Sequence, residues 1–576
     1  MEKHTFIELK KYAKKDMSSL KLYKLAVLGN CSTQHLSMAL KGYGYNLGYN
    51  LDVFDSDYNQ IDAQIMDDFS ELYEQNPNAV LIYMATEKLF EEFCNMPLNE
   101  RTQFADNIIK KIEMYWEKIN STISTNILQV NFCEIDDRIF GNYSNKVSSS
   151  FVYQIRKLNF LLMQLAENTK NAFLIDLSTI QNTYGRNILF DEKLYYIAKM
   201  PLSTNILPEV AKQIWETIKA LDGKFKKCII LDLDNTLWGG VIGDDGLKSI
   251  QIGELGLGHA FSEFQMWLKE LKNRGIILAV CSKNNEDIAK EPFEKHPEMI
   301  LRLEDISIFV ANWEDKASNI KYIQETINIG MDSIVFIDDN PFERNLVKSI
   351  IPEITVPDLP EDPALYLKYL KSLNLFETVS YSENDVNRTK QYQAEVGRTV
   401  SQNMYKDFDE YLKNLEMVAT VHNFEEFEIP RISQLTQRSN QFNLRTVRYT
   451  ESDIEKITEN EDYITLSFSL KDKFGDYGLI SVVIMKKEND NTLFLDTWLM
   501  SCRVLKRGME EFIINSIIEE AKKNNFENVI GEYIKTPKNA MVENIYSKLG
   551  FQELGNGKFK ADVNNFKFNK TNIKTN

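Results

Sequence analysis

The sequence predicts a multidomain α/β protein on three observations: its length, two successive series of short apolar β-type runs spaced by helical periodicity, and a C-terminal stretch of different texture. At about 100–200 residues per domain, 576 residues amount to roughly three or four domains. Apolar residues at 43% and charged residues at 26% exclude wholesale disorder and collagen-like repeats, and they suffice for sizeable cores. A formal charge of -17 disfavours a general attraction to nucleic acid or anionic membranes. Cys31, Cys94, Cys133, Cys228, Cys281 and Cys502 are scattered without a C-x-x-C pair and read as reduced thiols. The sequence shows no leader pattern and no apolar run near the roughly 20 residues of a membrane helix, so a cytoplasmic location is expected.

The first expected domain spans 1–222, with strands at Leu25–Leu28, Val80–Tyr83, Ile127–Val130 and Phe173–Ile175 alternating with helical patterns such as Phe151–Asn168. In the second, 223–375, the buried strands are Cys228–Leu233, Ile276–Val280, Ile306–Val310 and Ile334–Ile337, separated by helices near 259–273, 315–328 and 341–349. Parallel strands joined by crossover helices place ligands at the strand C-termini. After Pro352, Pro357, Pro360 and Pro363 a helical connector covers 376–414. The last domain, 415–576, is α+β. Tyr463–Leu470 and Leu479–Lys486 flank Gly475 and Gly478 as an antiparallel pair around a long turn, and Thr492–Met500 leads into a helix whose core face is Met509, Phe512, Ile513, Ile517 and Ala521. The polar segment after Asp562 is expected to fray.

The sharpest chemical signal is Leu231-Asp-Leu-Asp-Asn-Thr-Leu-Trp-Gly-Gly240, where two carboxylates two residues apart follow a buried strand. At that spacing Asp232 and Asp234 share a direction, so Asp232 can attack phosphorus while Asp234 protonates the leaving oxygen and later activates water. Thr236, Ser282 after the second strand and Lys316 supply phosphate contacts, and Asp338-Asp339-Asn340 follows the fourth strand. An anionic nucleophile meeting phosphate needs Mg²⁺ on hard oxygen ligands, here Asp232, the Asp234 carbonyl and one of Asp338 or Asp339. The interval from Thr236 to Ser282 is consumed by one helix and one strand, which leaves the site with a minimal cap, open to bulky or protein-borne substrates.

This series resembles the haloacid dehalogenase (HAD) superfamily of phosphotransferases. Trp238-Gly-Gly-Val-Ile-Gly-Asp-Asp-Gly246 narrows the resemblance to the FkbH-like family, HAD proteins of the IIIC type. Asn312-Trp-Glu-Asp-Lys316, Phe336-Ile-Asp-Asp-Asn-Pro341, Asn440-Gln-Phe-Asn-Leu444, Asp472-Lys-Phe-Gly-Asp-Tyr-Gly478 and Ser501-Cys-Arg-Val-Leu505 are similar to its patterns in the same order, over roughly 150–560. The resemblance implies an SGNH-like α/β domain, a HAD-like Rossmannoid parallel-sheet domain and a GNAT-like α+β domain. It also implies an activity: a three-carbon acyl unit is taken from 1,3-bisphosphoglycerate, phosphate is removed, and glyceryl is placed on the phosphopantetheine thiol of an acyl carrier protein for polyketide biosynthesis. The alternative is a phosphatase acting on a small or protein-bound phosphoester, with the GNAT-like domain as a binding module.

Gly29-Asn-Cys-Ser32 stands where an SGNH hydrolase carries its nucleophile, but Asp191-Glu-Lys-Leu-Tyr195 lacks the histidine such an enzyme supplies. A scaffold or carrier-docking domain is therefore expected. Arg503-Val-Leu-Lys-Arg-Gly508 resembles the GNAT loop that holds a pyrophosphate at a helix N-terminus, with Lys506 in its first glycine position. Coenzyme A or a phosphopantetheine arm would meet Arg503, Lys506, Arg507 and Gly508. Tyr546 matches the GNAT tyrosine that protonates a leaving thiolate, or at helical spacing is a core aromatic. Arg445 and Arg448 either pack domains together or meet a phosphorylated substrate or acidic carrier. For a covalent acyl stage the preferred thiol is Cys502, whose basic neighbours Arg503, Lys506 and Arg507 would lower its pKa, while Cys281 is expected to point into the core.

Overall fold

Short runs of apolar residues form parallel strands buried on both faces, and the helices between them supply the cover. The computed structural model describes residues 4–381, 388–402 and 407–576. They divide into two compact units, Met1–Lys219 and Ala220–Asn576. The first unit holds five parallel strands, β1 (Lys21–Gly29), β2 (Tyr49–Asp55), β3 (Ala79–Tyr83), β4 (Asn126–Val130) and β5 (Ala172–Ile175), in the order β2-β1-β3-β4-β5. β2 is absent from the sequence-based expectation. It is an edge strand with Asp52 exposed and only Tyr49 and Leu51 buried, so it carries no continuous apolar run.

The second unit contains two sheets. In the first, β6 (Cys228–Leu231), β7 (Ile277–Ser282), β8 (Ile308–Ala311) and β9 (Ile334–Ile337) are all parallel, in the order β8-β7-β6-β9. Alternation along the strands sends Ile229, Leu231, Leu278 and Val280 to one core with Phe261, Phe264 and Leu268. Cys228, Ile230, Ala279 and Cys281 go to the other, with Ile320, Ile323 and Ile327. Because the strands run the same way, Asp232, Ser282 and Asp338 arrive at one sheet edge. Between β6 and β7 lie a Gly239–Gln251 bridge, the one-turn helix Ile242–Asp245 and helix Leu257–Asn273, with no separate cap domain.

The second sheet of this unit is mixed. Its strands are β10 (Val418–His422), β11 (Phe442–Asn443), β12 (Tyr463–Asp472), β13 (Gly475–Asn489), β14 (Thr492–Met500), β15 (Asn528–Glu532), β16 (Gln552–Gly555), β17 (Lys558–Asp562) and β18 (Lys574–Thr575). The order is β16-β17-β15-β14-β13-β12-β10-β18, and β11 pairs with β14. An antiparallel meander, β12 to β14, leads through helix Met509–Lys523 to β15, parallel to β14, which is the α+β arrangement expected of the GNAT-like domain. The five expected core residues of that helix are all buried.

Two further expectations need correction. The turn between β12 and β13 is short, because both strands extend to Asp472 and Gly475. The C-terminal segment does not fray: Asn569 and Asn515 exchange hydrogen bonds of 2.9 and 2.8 Å, Ile573 is buried, and β18 pairs with β10. The connector forms helices Arg388–Gln402 and Phe408–Asn414, while 382–387 and 403–406 lie outside the described residues. It ties the two sheets together, since Tyr392 packs into the core of the parallel sheet and Arg398 makes two 2.8 Å bonds to the buried Asp472 of β12. Among the described residues no helix is long and apolar enough to cross a membrane.

Candidate active site

Asp232 directly follows β6, and its N–H donates to the Ile337 carbonyl at 3.0 Å, so the parallel ladder runs into the site. Lys316 Nζ stands 2.9 Å from Asp232 Oδ2 and 2.6 Å from Asp338 Oδ2, with all three residues buried. Burial works against the Lys316 ammonium, but Asp232 and Asp338 outweigh it and hold its pKa above the ordinary lysine range. Burial, then the charge of Asp232, pushes Asp338 up to about 7 against the opposing pull of Lys316. The same two causes raise Asp339. Oxygens of Asp232, Asp338 and Asp339 lie within 4.8 Å of one another. Converging hard oxygen donors are what a small divalent cation requires, and its charge would offset the repulsion that raises these carboxyls, so the donor set fits Mg²⁺. Both Asp338 and Asp339 belong to it, where the sequence left one or the other.

The carboxylate of Asp234 serves a different purpose. Its Oδ1 accepts from Trp238 Nε1 at 3.1 Å and from the Ile242 N–H at 3.0 Å, and its Oδ2 accepts from Asn284 Nδ2 at 2.8 Å. Three donors therefore fix the orientation of this carboxylate. Thr236 Oγ1 lies 3.2 Å from Asp339 Oδ1 and accepts the Asp339 N–H at 3.1 Å, joining the β6 and β9 loops. Ser282 is buried at the end of β7, with Asn284 Nδ2 3.3 Å from its hydroxyl. Arg344 donates to the Asp338 carbonyl at 2.9 Å and the Asp339 carbonyl at 2.5 Å, holding the loop that presents both carboxylates. Asn284, Trp238 and Arg344 are the positioning residues that the motif reading left without a role. The first two were visible as short-range partners, two residues after Ser282 and four after Asp234.

The C-terminal residues are placed differently from the expectation. Arg503 Nε donates to Ser501 Oγ at 3.3 Å and its guanidinium also reaches Gln391, while Arg507 meets the Tyr477 hydroxyl. Both arginines are nearly buried. Lys506 adopts φ 60°, and its N–H donates to Glu510 Oε1 at 3.0 Å. Burial raises the Glu510 carboxyl even though the N–H groups of Lys506, Glu510 and Met509 oppose the shift. In the turn ending at Gly508 (φ 81°), the Lys506 amide is thus taken by the chain's own carboxylate. Arg445 bridges Asp496 and Glu532 at 2.7 Å each, and Arg448 binds the Ser439 carbonyl at 3.3 Å together with Thr436 and Asn440, so neither is a ligand-facing group. Tyr546 is a core aromatic, 1% exposed among Trp498, Phe551 and Phe559, and burial pushes its hydroxyl up.

Of the two thiols, Cys281 is fully buried and raised by that burial. Cys502 is half-buried and lines a cavity together with Lys227, whose charge interacts with it. Lys227 immediately precedes β6, whereas Asp232 immediately follows it. At about 3.3 Å per residue, that places the Cys502 cavity roughly 16 Å from Asp232, at the opposite edge of the sheet. In the first unit Cys31 is buried and its thiol raised by burial, Glu87 and Asp55, Ser32 donates to the Ala198 carbonyl at 2.5 Å, and Asp191 caps a helix through Leu194 at 2.9 Å. These are structural contacts.

A family model for the FkbH N-terminal domain matches residues 24–219. Among solved structures, the N-terminal part of the protein BF1531 from Bacteroides fragilis, containing a phosphatase domain complexed with Mg, is 49% identical, with a TM-score of 0.63 over 66% of this chain and 100% of that chain. The ribosomal-protein-S18-alanine N-acetyltransferase from Escherichia coli matches 25% of this chain and 94% of its own at 17% identity and TM-score 0.21. Ard1 from Thermoplasma volcanium matches 25% and 95% at 14% identity and TM-score 0.20. No curated protein matches. With 49% identity along the whole of the Bacteroides phosphatase-containing chain, and with its own Asp232, Lys316 and Asp338 assembled at one sheet edge, the chain belongs to the FkbH-like family and carries that family's HAD-type phosphatase domain.

Proposed function

We propose that the protein is a Mg²⁺-dependent glyceryl transferase/phosphatase that takes a three-carbon acyl unit from 1,3-bisphosphoglycerate, removes phosphate and loads glyceryl onto an acyl carrier protein. The observation that supports the phosphoryl half is the buried Lys316 ammonium shared by Asp232 and Asp338, beside an Asp234 carboxylate held by three donors. Asp232, Asp338 and Asp339 would hold Mg²⁺, the ion bound by the Bacteroides relative, which supplies charge neutralisation when an anionic nucleophile meets a phosphate.

Asp232 attacks the phosphorus of the C3 phosphoester and the bond from phosphorus to the C3 oxygen breaks, with Asp234 giving that oxygen a proton. Asp234 then takes a proton from the water that cleaves the aspartyl phosphate, which frees phosphate and restores Asp232. Lys316 and Ser282 bind phosphate oxygens, and Thr236 keeps the β6 and β9 loops in register. For the acyl half, the Cys502 thiolate would attack the acyl-phosphate carbonyl of the donor and expel that phosphate, and the phosphopantetheine thiol would then displace Cys502 from the thioester, taking the acyl group and returning the thiolate.

A second reading, a phosphatase whose C-terminal domain only binds, is favoured by one observation. β14 and β15 pair only over Thr492–Leu495 and Asn528–Gly531, and beyond that point β11 occupies the space beside β14, pairing Phe442 with Met500 and Asn443 with Leu499. The strand gap in which an acyltransferase of this fold would take a coenzyme is thus filled by β11. Intact-mass analysis of a phosphopantetheinylated carrier, after incubation with enzyme, Mg²⁺ and 1,3-bisphosphoglycerate, separates the readings. A glyceryl adduct supports loading, and phosphate release without an adduct supports the second.

A further inference from the structure

One residue of the turn that follows β6 is held in a strained backbone conformation. Asn235, directly after Asp234, has φ 53°, in the left-handed region that a non-glycine residue keeps only where its surroundings over-determine it. Its own Oδ1 accepts the Gly240 N–H at 2.9 Å. The Thr236 N–H donates to the Leu233 carbonyl at 3.1 Å, and the Asn235 carbonyl accepts from the Tyr366 hydroxyl at 3.2 Å. That N–H and that carbonyl belong to one planar peptide unit, so the plane between Asn235 and Thr236 is gripped on both sides. With this plane held and Asn235 fixed in the left-handed turn, the peptide before it is fixed too, and its carbonyl is that of Asp234.

The Gly240 and Leu233 contacts are local, whereas Tyr366 reaches the turn from 131 positions away. It opens helix Tyr366–Leu373, beyond the proline-bearing segment, and is 3% exposed. Its ring stands edge-on to Phe261 and Phe264, at 6.3 and 6.5 Å between centroids, which aims the hydroxyl at the turn. Burial, then the charge of Asp339, pushes that hydroxyl up to about 12, so near neutral pH it stays a proton donor. We propose that Tyr366 is a positioning residue of the phosphoryl site: through the Asn235–Thr236 peptide it sets the direction of the Asp234 carbonyl, the ligand that the sequence pattern adds to Asp232, Asp338 and Asp339. The assignment rests on the Mg²⁺ reading given above. Mg²⁺ demands near-ideal octahedral geometry, so a ligand oxygen already in place strengthens binding and one free to swing weakens it.

The test is calorimetric titration of the full-length protein with MgCl₂ alone, without a phosphate ester. Tyr366→Phe keeps the ring in the core and deletes only the hydroxyl. Its Kd for Mg²⁺ should rise about three- to tenfold, the size of one hydrogen bond. Hydrolysis of p-nitrophenyl phosphate should need correspondingly more Mg²⁺ for half its maximal rate, with KM for the ester unchanged at saturating Mg²⁺. Tyr369→Phe is the control on the same helix, since its hydroxyl accepts the Asp358 N–H at 3.2 Å and not a group of the turn, and its Mg²⁺ affinity should match the parent's. Parent-like affinity in Tyr366→Phe, or an equal loss in Tyr369→Phe, would overturn the assignment while leaving the Mg²⁺ reading intact. A parent that binds no Mg²⁺ would remove both.

Discussion

Lys316→Met removes the one ammonium that stands between Asp232 and Asp338, at 2.9 and 2.6 Å. The methionine fills similar volume, so the effect is electrostatic. Two unit charges 4.8 Å apart repel by about 3–4 kcal/mol at an effective dielectric near 20, and removing one partner of a buried ion pair typically costs about 3–5 kcal/mol. A loss of about that size is expected in EDTA. Mg²⁺ supplies a replacement charge to the same carboxylates, so the deficit should shrink when the ion is added. Turnover should fall by about 10²–10³ even in saturating Mg²⁺, since Lys316 also meets the charge that develops on phosphate. Differential scanning calorimetry with and without Mg²⁺, beside p-nitrophenyl phosphate hydrolysis, reads both effects. Parent-like stability in EDTA, or a deficit that Mg²⁺ leaves untouched, would show that Lys316 does not compensate the metal-binding carboxylates.

Asn284→Ala deletes one of three donors that orient Asp234, and kcat should fall about 10–100-fold with KM little changed, in line with one hydrogen bond to a charged group. An equal rise in KM with kcat intact would make Asn284 a substrate contact instead. Tyr546→Phe should cost about 0.5–1.5 kcal/mol of stability and leave carrier loading unchanged, because the ring is core; a hundredfold loss of loading would restore it as an acid. Cys502→Ser should lose loading while phosphate release persists, and Cys281→Ser should cost about 1–3 kcal/mol without abolishing loading, both read by protein mass after digestion. A three-carbon adduct on Cys281 would reverse that assignment.

What the sequence made legible follows from how local each signal is. The strands β6 and β9 are continuous apolar runs, and Asp232, Asp234, Asp338 and Asp339 stand within three residues of their ends, so spacing alone brought them to one edge. The edge strand β2, half polar, carried no such signal. The loop around Lys506 shows the limit of a motif: its residues match an anion-binding pattern, but the Lys506 amide is taken by Glu510, four residues on, a contact that spacing alone did not assign. Arg445 and Arg448 likewise look like free cations until the carboxylates of Asp496 and Glu532 and the carbonyl of Ser439 are brought to them from other parts of the chain. Lys227, which stands beside Cys502 in space, is 275 positions away in sequence and had no local marker.

The claim on which the account turns is that Asp232 is the phosphoryl-accepting nucleophile of a Mg²⁺-dependent centre, and phosphate release by purified Asp232→Asn protein tests it most directly. The amide keeps the shape of the carboxylate, so calorimetry should find the variant folded. Its release of phosphate from p-nitrophenyl phosphate should be abolished in Mg²⁺, and the parent's activity should vanish in EDTA. A folded Asp232→Asn protein that hydrolyses the ester at the parent rate, or a parent indifferent to EDTA, would contradict it.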